Sequence, residues 1–126
     1  MTVIFHMDKE KNVWKVCLCT DDMKSVNLPF GKTQIGVIYK VEKQKGASFQ
    51  EKRNFYVGTA GANGHDFIND VRIENIKDCD YIVCTKIGIK LKRMIEVHGI
   101  SVIEYQGDVE TVLERMRRYL LLTRSI

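Results

Sequence analysis

The chain has 126 residues, of which 44% are hydrophobic and 29% charged, with a formal net charge of +4. That balance matches a soluble globular protein of one domain with a real core, and no apolar run approaches the ~20 residues that cross a bilayer. The small positive excess favours an anionic partner without implying nucleic acid, and four cysteines without a CxxC pair point away from a zinc site or a disulfide framework.

Residues Thr2 to Met7 read as a short strand, joined through an Asp8–Asn12 turn to the next strand. Met1 to Met7 is too short for a signal peptide and runs into Asp8-Lys9-Glu10-Lys11, so a cytoplasmic location is expected. Val13 to Thr20 is that second strand. Trp14, Val16 and Leu18 take one face, and Val13, Lys15, Cys17 and Cys19 the other. Asp21 and Asp22 end it, and Ser25 to Lys32 is a loop with the single proline. Gln34 to Glu42 alternates, with Ile35, Val37, Tyr39 and Val41 on one side. With Phe49 to Val57 it makes a hairpin about Gly46. Gly58 to Gly64 is a glycine-rich loop that delivers His65 and Asp66. Asp66 can cap a helix from about Phe67 to Lys77, with Ile68, Val71 and Ile76 sharing a face.

The segment from Ile76 to Gly107 organises the rest. Tyr81-Ile82-Val83-Cys84 is short enough for a buried strand. Gly88 opens a helix with Leu91, Met94, Ile95 and His98 at three- and four-residue steps, and Gly99 stops it. Ile100, Val102 and Ile103 begin another strand. This is a βαβ unit, for which parallel strands and a right-handed crossover are expected. Gly107-Asp108 starts a last helix with Val109, Val112, Leu113, Met116 and Leu120 as its apolar stripe. A meander followed by βαβ predicts a single α/β domain over residues 1–126. Its layout is three-layer and RNase H-like, a mixed five-stranded sheet with helices on its faces.

Three segments resemble the dinitrogenase iron–molybdenum cofactor biosynthesis family, of the NifX and NafY core and NifB C-terminal domain type. They are Val16-Cys17-Leu18-Cys19-Thr20-Asp21-Asp22, then Phe30-Gly31 with Ile38-Tyr39-Lys40-Val41, then Asp78-Cys79-Asp80 through Ile87-Gly88 with Leu91 and His98-Gly99-Ile100. The match runs from about Lys15 to Leu121. The resemblance implies a carrier, not an enzyme. Such a carrier binds the iron–molybdenum cofactor or an iron–sulfur precursor cluster and passes it to cofactor-assembly proteins or nitrogenase. It implies neither nucleic acid nor membrane as partner. One position departs from the pattern: Pro29 stands where the family has the histidine of its HFG segment, often a cluster ligand.

An iron–sulfur cargo is anionic and favours thiolate or imidazole. Cys19 and Cys84 each end a strand, and if those strands are parallel neighbours both thiols reach one edge of the sheet. Gly88 opens a helix at that edge and Lys86 adds charge, a setting in which anions collect. His65 is the candidate imidazole. The expected cofactor-binding set is therefore Cys19, Cys84, His65, Lys86 and Gly88, with the first three as metal ligands. Cys17, Cys79 and His98 read as structural, and the basic run Arg115 to Arg118 as a solvated face or an acidic partner's contact. Two alternatives stand beside the carrier. One is an interaction module that keeps the fold without the cluster. The other is an RNase H-like nuclease using Asp21, Asp22 and Asp66. An exposed edge at the N-terminal strands is open to pairing with a second copy as a homodimer.

Overall fold

β1 (Val13–Leu18) is the middle strand of the sheet, and the burial of both its faces explains its composition. The computed structural model describes residues 11–57 and 70–124. The strand expected over Thr2–Met7, the glycine loop 58–64, His65 and Asp66 lie outside the described residues. β1 pairs antiparallel with β3 (Ile35–Glu42) and parallel with β5 (Tyr81–Cys84). β4 (Gly46–Asn54) adds antiparallel to β3, and β6 (Ser101–Glu104) adds parallel to β5. The order β4-β3-β1-β5-β6 makes a mixed five-stranded sheet, as the meander and βαβ pattern predicts. A separate two-stranded ladder joins β2 (Ser25–Val26) to β7 (Gly107–Asp108), and sequence patterning gave no sign of it.

The alternation in β1 sorts residues into two cores. Cys17 and Cys19 enter one apolar cluster with Ile38, Ile82 and Ile95. Val16 and Leu18 enter the other with Val41, Val83 and Met116. The first is roofed by α1 (Val71–Glu74) and α2 (Ile89–Glu96), the second by α3 (Val109–Arg124). The stripe Val109, Val112, Leu113, Met116 and Leu120 is buried throughout, as its spacing predicts. Asp108 caps α3: its carboxylate accepts from Thr111 N–H at 2.9 Å and Thr111 Oγ1 at 3.0 Å.

Two expectations need correcting. The helix expected over 67–77 is only Val71–Glu74 within the described residues, and its N-cap is Asp70, whose side chain accepts from Arg72 N–H at 2.9 Å. Asp70 has an extended ψ of 121°, so no helix runs through it. His98 does not share the core face of α2. Leu91 and Met94 pack against the core and Ile95 is buried, but His98 is exposed beyond the helix end. Gly99 does stop the chain there with φ of +83°, a conformation cheap only for glycine. β4 is an edge strand with most side chains exposed, and a bulge opposite Ile38/Tyr39 leaves Gln50 out of register. Among the described residues nothing pairs with its outer edge.

Candidate functional site

The register places Leu18 opposite Val83 on adjacent parallel strands, and Cys19 N–H donates to Val83 O at 2.9 Å. Cys19 therefore follows β1 at the level where Cys84 closes β5. The sequence places the two thiols at one edge, and the fold brings them there. The two sulfurs share an apolar cluster, and neither has any exposed surface.

What covers them is a strap, within the segment that the sequence predicts as a plain loop. Residues 27–30 cross the carboxyl ends of β1 and β5 and are fastened to both. Asn27 and Leu28 N–H donate to Cys19 O at 3.3 Å each, Thr85 N–H donates to Leu28 O at 3.0 Å, and Phe30 N–H donates to Lys86 O at 3.0 Å. Pro29 precedes a short 3-10 turn, Phe30–Lys32, with extended backbone suited to its ring. Phe30 is fully buried, 5.5 Å from the Phe55 ring, with the Arg72 guanidinium 5.5 Å over its face. Leu28 and Phe30, apolar residues two apart on either side of Pro29, were the available signal for this cover.

Burial sets the chemistry of the thiols. Cys19 is pushed up to about 12 by loss of solvent, with the Thr33 hydroxyl pulling slightly the other way. Cys84 is raised to about 11 by burial and then by the Glu104 carboxylate. Both are protonated at neutral pH and poor ligands in this closed form, since thiolate is the ligating species. Lys86 lies exposed beside them, its carbonyl holding the strap. Gly88 is the exposed N-cap of α2 and makes no side-chain cap; a Cβ there would meet nothing, so the position does not require glycine. His65 lies outside the described residues. Among the described residues no three His, Cys, Asp or Glu side chains gather as a metal would need.

The other candidates fall where their roles suggest. Cys17 is buried against Gly36, and Cys79 is buried at the opposite end of the sheet, raised to about 12 by burial and by the neighbouring Asp78. Asp21 is bonded to Asn27, whose amide donates at 2.7 Å. Asp22 folds back on its own turn and accepts from Lys24 and Ser25 N–H at 2.8 and 2.9 Å. Arg117 and Arg118 both pair with Glu114, and Arg117 also donates to Lys43 O at 3.2 Å.

Comparison with known proteins agrees with the resemblance. The sequence profile of the family described as "Dinitrogenase iron-molybdenum cofactor" matches residues 12–119. No curated protein matches the sequence. The fold is similar to the crystal structure of PH0822, with a TM-score of 0.60 and 22% identity over 83% of this chain and 91% of that one. It is also similar to a candidate dinitrogenase from Methanocaldococcus jannaschii, with a TM-score of 0.55 and 14% identity over 86% of this chain and 91% of that one. At those identities the two structures speak for the fold alone, whereas the profile spans nearly the whole sequence: this chain belongs to the dinitrogenase iron–molybdenum cofactor family.

Proposed function

We propose that this protein binds an iron–sulfur or iron–molybdenum cluster at the carboxyl rim of β1 and β5 and hands it on during nitrogenase cofactor assembly. It does so as a carrier and not as a catalyst. What supports the reading is the pairing of Cys19 and Cys84 on adjacent parallel strands beside Lys86 and the start of α2, in a chain of this family. The same reading takes the sheet order as the RNase H-like layout. The cargo is anionic, so Lys86 and the N-terminus of α2 contribute attraction while the thiols and His65 supply ligands.

The cargo reaches the sulfurs when the strap lifts. Releasing Phe30 from the core and breaking the strap's hydrogen bonds costs about 5 kcal/mol. The open form is then on the order of one molecule in 10⁴. Metal–thiolate binding supplies about 10 kcal/mol or more, enough to hold the strap open. Because both thiols must lose protons on binding, uptake tightens as pH rises. Anaerobic titration of the apo protein with isolated iron–molybdenum cofactor, followed by absorbance, tests this. Saturable uptake that weakens in Cys19→Ser and Cys84→Ser and improves at higher pH is expected. No uptake by either the wild type or Phe30→Ala ends the reading.

A second reading rests on two observations: the sealed thiols and Pro29 in place of the family histidine. It makes the protein an interaction module that has kept the fold without the cluster. Stable capture of a cofactor-assembly protein, unchanged by Cys19→Ser and Cys84→Ser and without cluster uptake, would favour it.

A further inference from the structure

A pocket of about 320 Å³ opens at the carboxyl end of β1, with its β3 and β4 lining on the sheet face opposite the thiols and Leu28 of the strap closing it. The register fixes that side. Val37 pairs with Leu18 on one flank and with Lys52 on the other. Cross-strand partners project to the same face. Leu18 belongs to the core beneath α3, whereas Cys19 belongs to the opposite core. Lys52 therefore stands over Val37 on the α3 side. The apolar lining is Val37, Ile35, Leu28 and Met23, and two ammonium groups, Lys32 and Lys52, stand among it.

The charges are unbalanced. Asp21 is the only carboxylate in the lining and is already bonded to Asn27 at 2.7 Å. Among the described residues neither Lys32 nor Lys52 has an ion-pair partner. The wall is also held in an unfavourable conformation. Met23 has φ of +62°, a left-handed backbone that costs a non-glycine residue about 1 kcal/mol. The turn enforces it: Thr20 Oγ1 accepts from Met23 N–H at 3.0 Å, and Asp22 accepts from the next two N–H groups. Thr20 and Met23 are thereby fixed as one rigid side of the pocket.

We propose that this pocket binds a small organic anion: a carboxylate held between Lys32 and Lys52, with a short alkyl or similar apolar body on Ile35, Val37 and Leu28. The volume lies at the lower end of ligand pockets, which limits the occupant to a small molecule. An apolar floor under two unpaired cations selects an anion carrying hydrocarbon over either an inorganic oxyanion or an amine. The proposal uses none of the thiols and does not rest on the cluster reading, although Leu28 belongs both to this lining and to the strap over the thiols.

The test is a titration of the isotope-labelled full chain with hexanoate at neutral pH, read by amide ¹H–¹⁵N shifts. Saturable shifts at Met23, Gln34, Ile35 and Val37 are expected, with a Kd of about 1 mM. Hexylammonium should leave the same amides unmoved. The double variant Lys32→Gln/Lys52→Gln should weaken hexanoate about tenfold or more. Ile35→Glu, which sets a carboxylate in the pocket, should abolish binding. All three positions are exposed, and an otherwise unchanged spectrum checks that the fold is kept. The proposal is overturned by absence of saturable shifts, by an equal response to hexylammonium, or by undiminished binding in the double variant. Inorganic phosphate binding as tightly as hexanoate also overturns it, since the apolar floor would then contribute nothing.

Discussion

Gly36 sits where β3 passes under Phe55, and a Cβ built there would lie 2.4 Å from the Phe55 ring and 2.6 Å from Cys17 Sγ. Both neighbours are fully buried and cannot swing away. Gly36→Ala should therefore cost about 1–3 kcal/mol in urea unfolding, while Gly31→Ala, which meets nothing within 4 Å, should be close to neutral. Sequence reading gave no hint of this, because a glycine inside an alternating strand looks like a weak point until its cross-strand neighbour is known. The thiols were legible as to place and not as to state. Period-two spacing put Cys19 at the rim, but nothing in it told that Leu28 and Phe30 fold back over the sulfur. All four cysteines are free and buried. Burial raises the folded-state values of Cys19 and Cys79 to about 12 and of Cys84 to about 11, from an ordinary 9.0. Raised values mean that the stability they carry is complete below pH 9 and is lost as pH climbs through about 11 to 12. Urea midpoints measured from pH 8 to 11 should fall over that range, and Cys79→Ala should flatten part of the decline. A midpoint independent of pH across this span would show the thiols to be solvated.

Among the elements, β1, β3 and α3 were readable from a strong period, and β5 from a short apolar run that is buried on both faces. The strap 27–30 was not, since it has no regular period and gains its order from backbone bonds to two strands distant in sequence. The short α1 was misplaced for a similar reason: Asp66 and Asp70 are both reasonable caps, and only the extended backbone of Asp70 decides between them. The strap's role as a cover can be measured without any cluster. Phe30→Ala should cost about 3–5 kcal/mol, and so should Leu113→Ala in the core beneath α3. If the strap is the gate, native-state labelling of Cys19 and Cys84 by a thiol reagent speeds up far more in Phe30→Ala than in Leu113→Ala. Peptide mapping assigns the labelled sites. Equal acceleration in the two variants would mean that the sulfurs are exposed only by global unfolding, and the strap would then be ordinary core.

At the scale of the molecule, the end of the sheet opposite the thiols is tied by charge. Asp78 accepts from Arg53 at 2.6 Å and from Lys15 Nζ at 2.8 Å, so one carboxylate joins β1, β4 and the segment before β5. Arg53 also donates to Asn75 O at 2.9 Å, and Asp80 receives Lys11 Nζ at 2.6 Å and Lys15 N–H at 2.8 Å. Charged residues on strands look like solvated surface in a sequence, so this linkage was invisible there. Burial works against ionised Asp78, but the Arg53 and Lys15 hydrogen bonds outweigh it and bring the carboxyl down to about 2 from 3.8. A depressed carboxylate contributes stability that is present above pH 4 and lost as pH falls towards 2. The Asp78 side chain is about half exposed, so solvent screening holds the contribution near 1 kcal/mol. Urea midpoints should accordingly stay level down to about pH 4 and drop below it. Asp78→Asn should lower stability at neutral pH by about 1 kcal/mol and take a corresponding part out of the acid slope. Asp80→Asn would serve as the comparison, because only Asp78 bridges three elements. If both variants leave the acid slope unchanged, the decline arises elsewhere and the charge tie across β1, β4 and β5 contributes nothing to holding the sheet together.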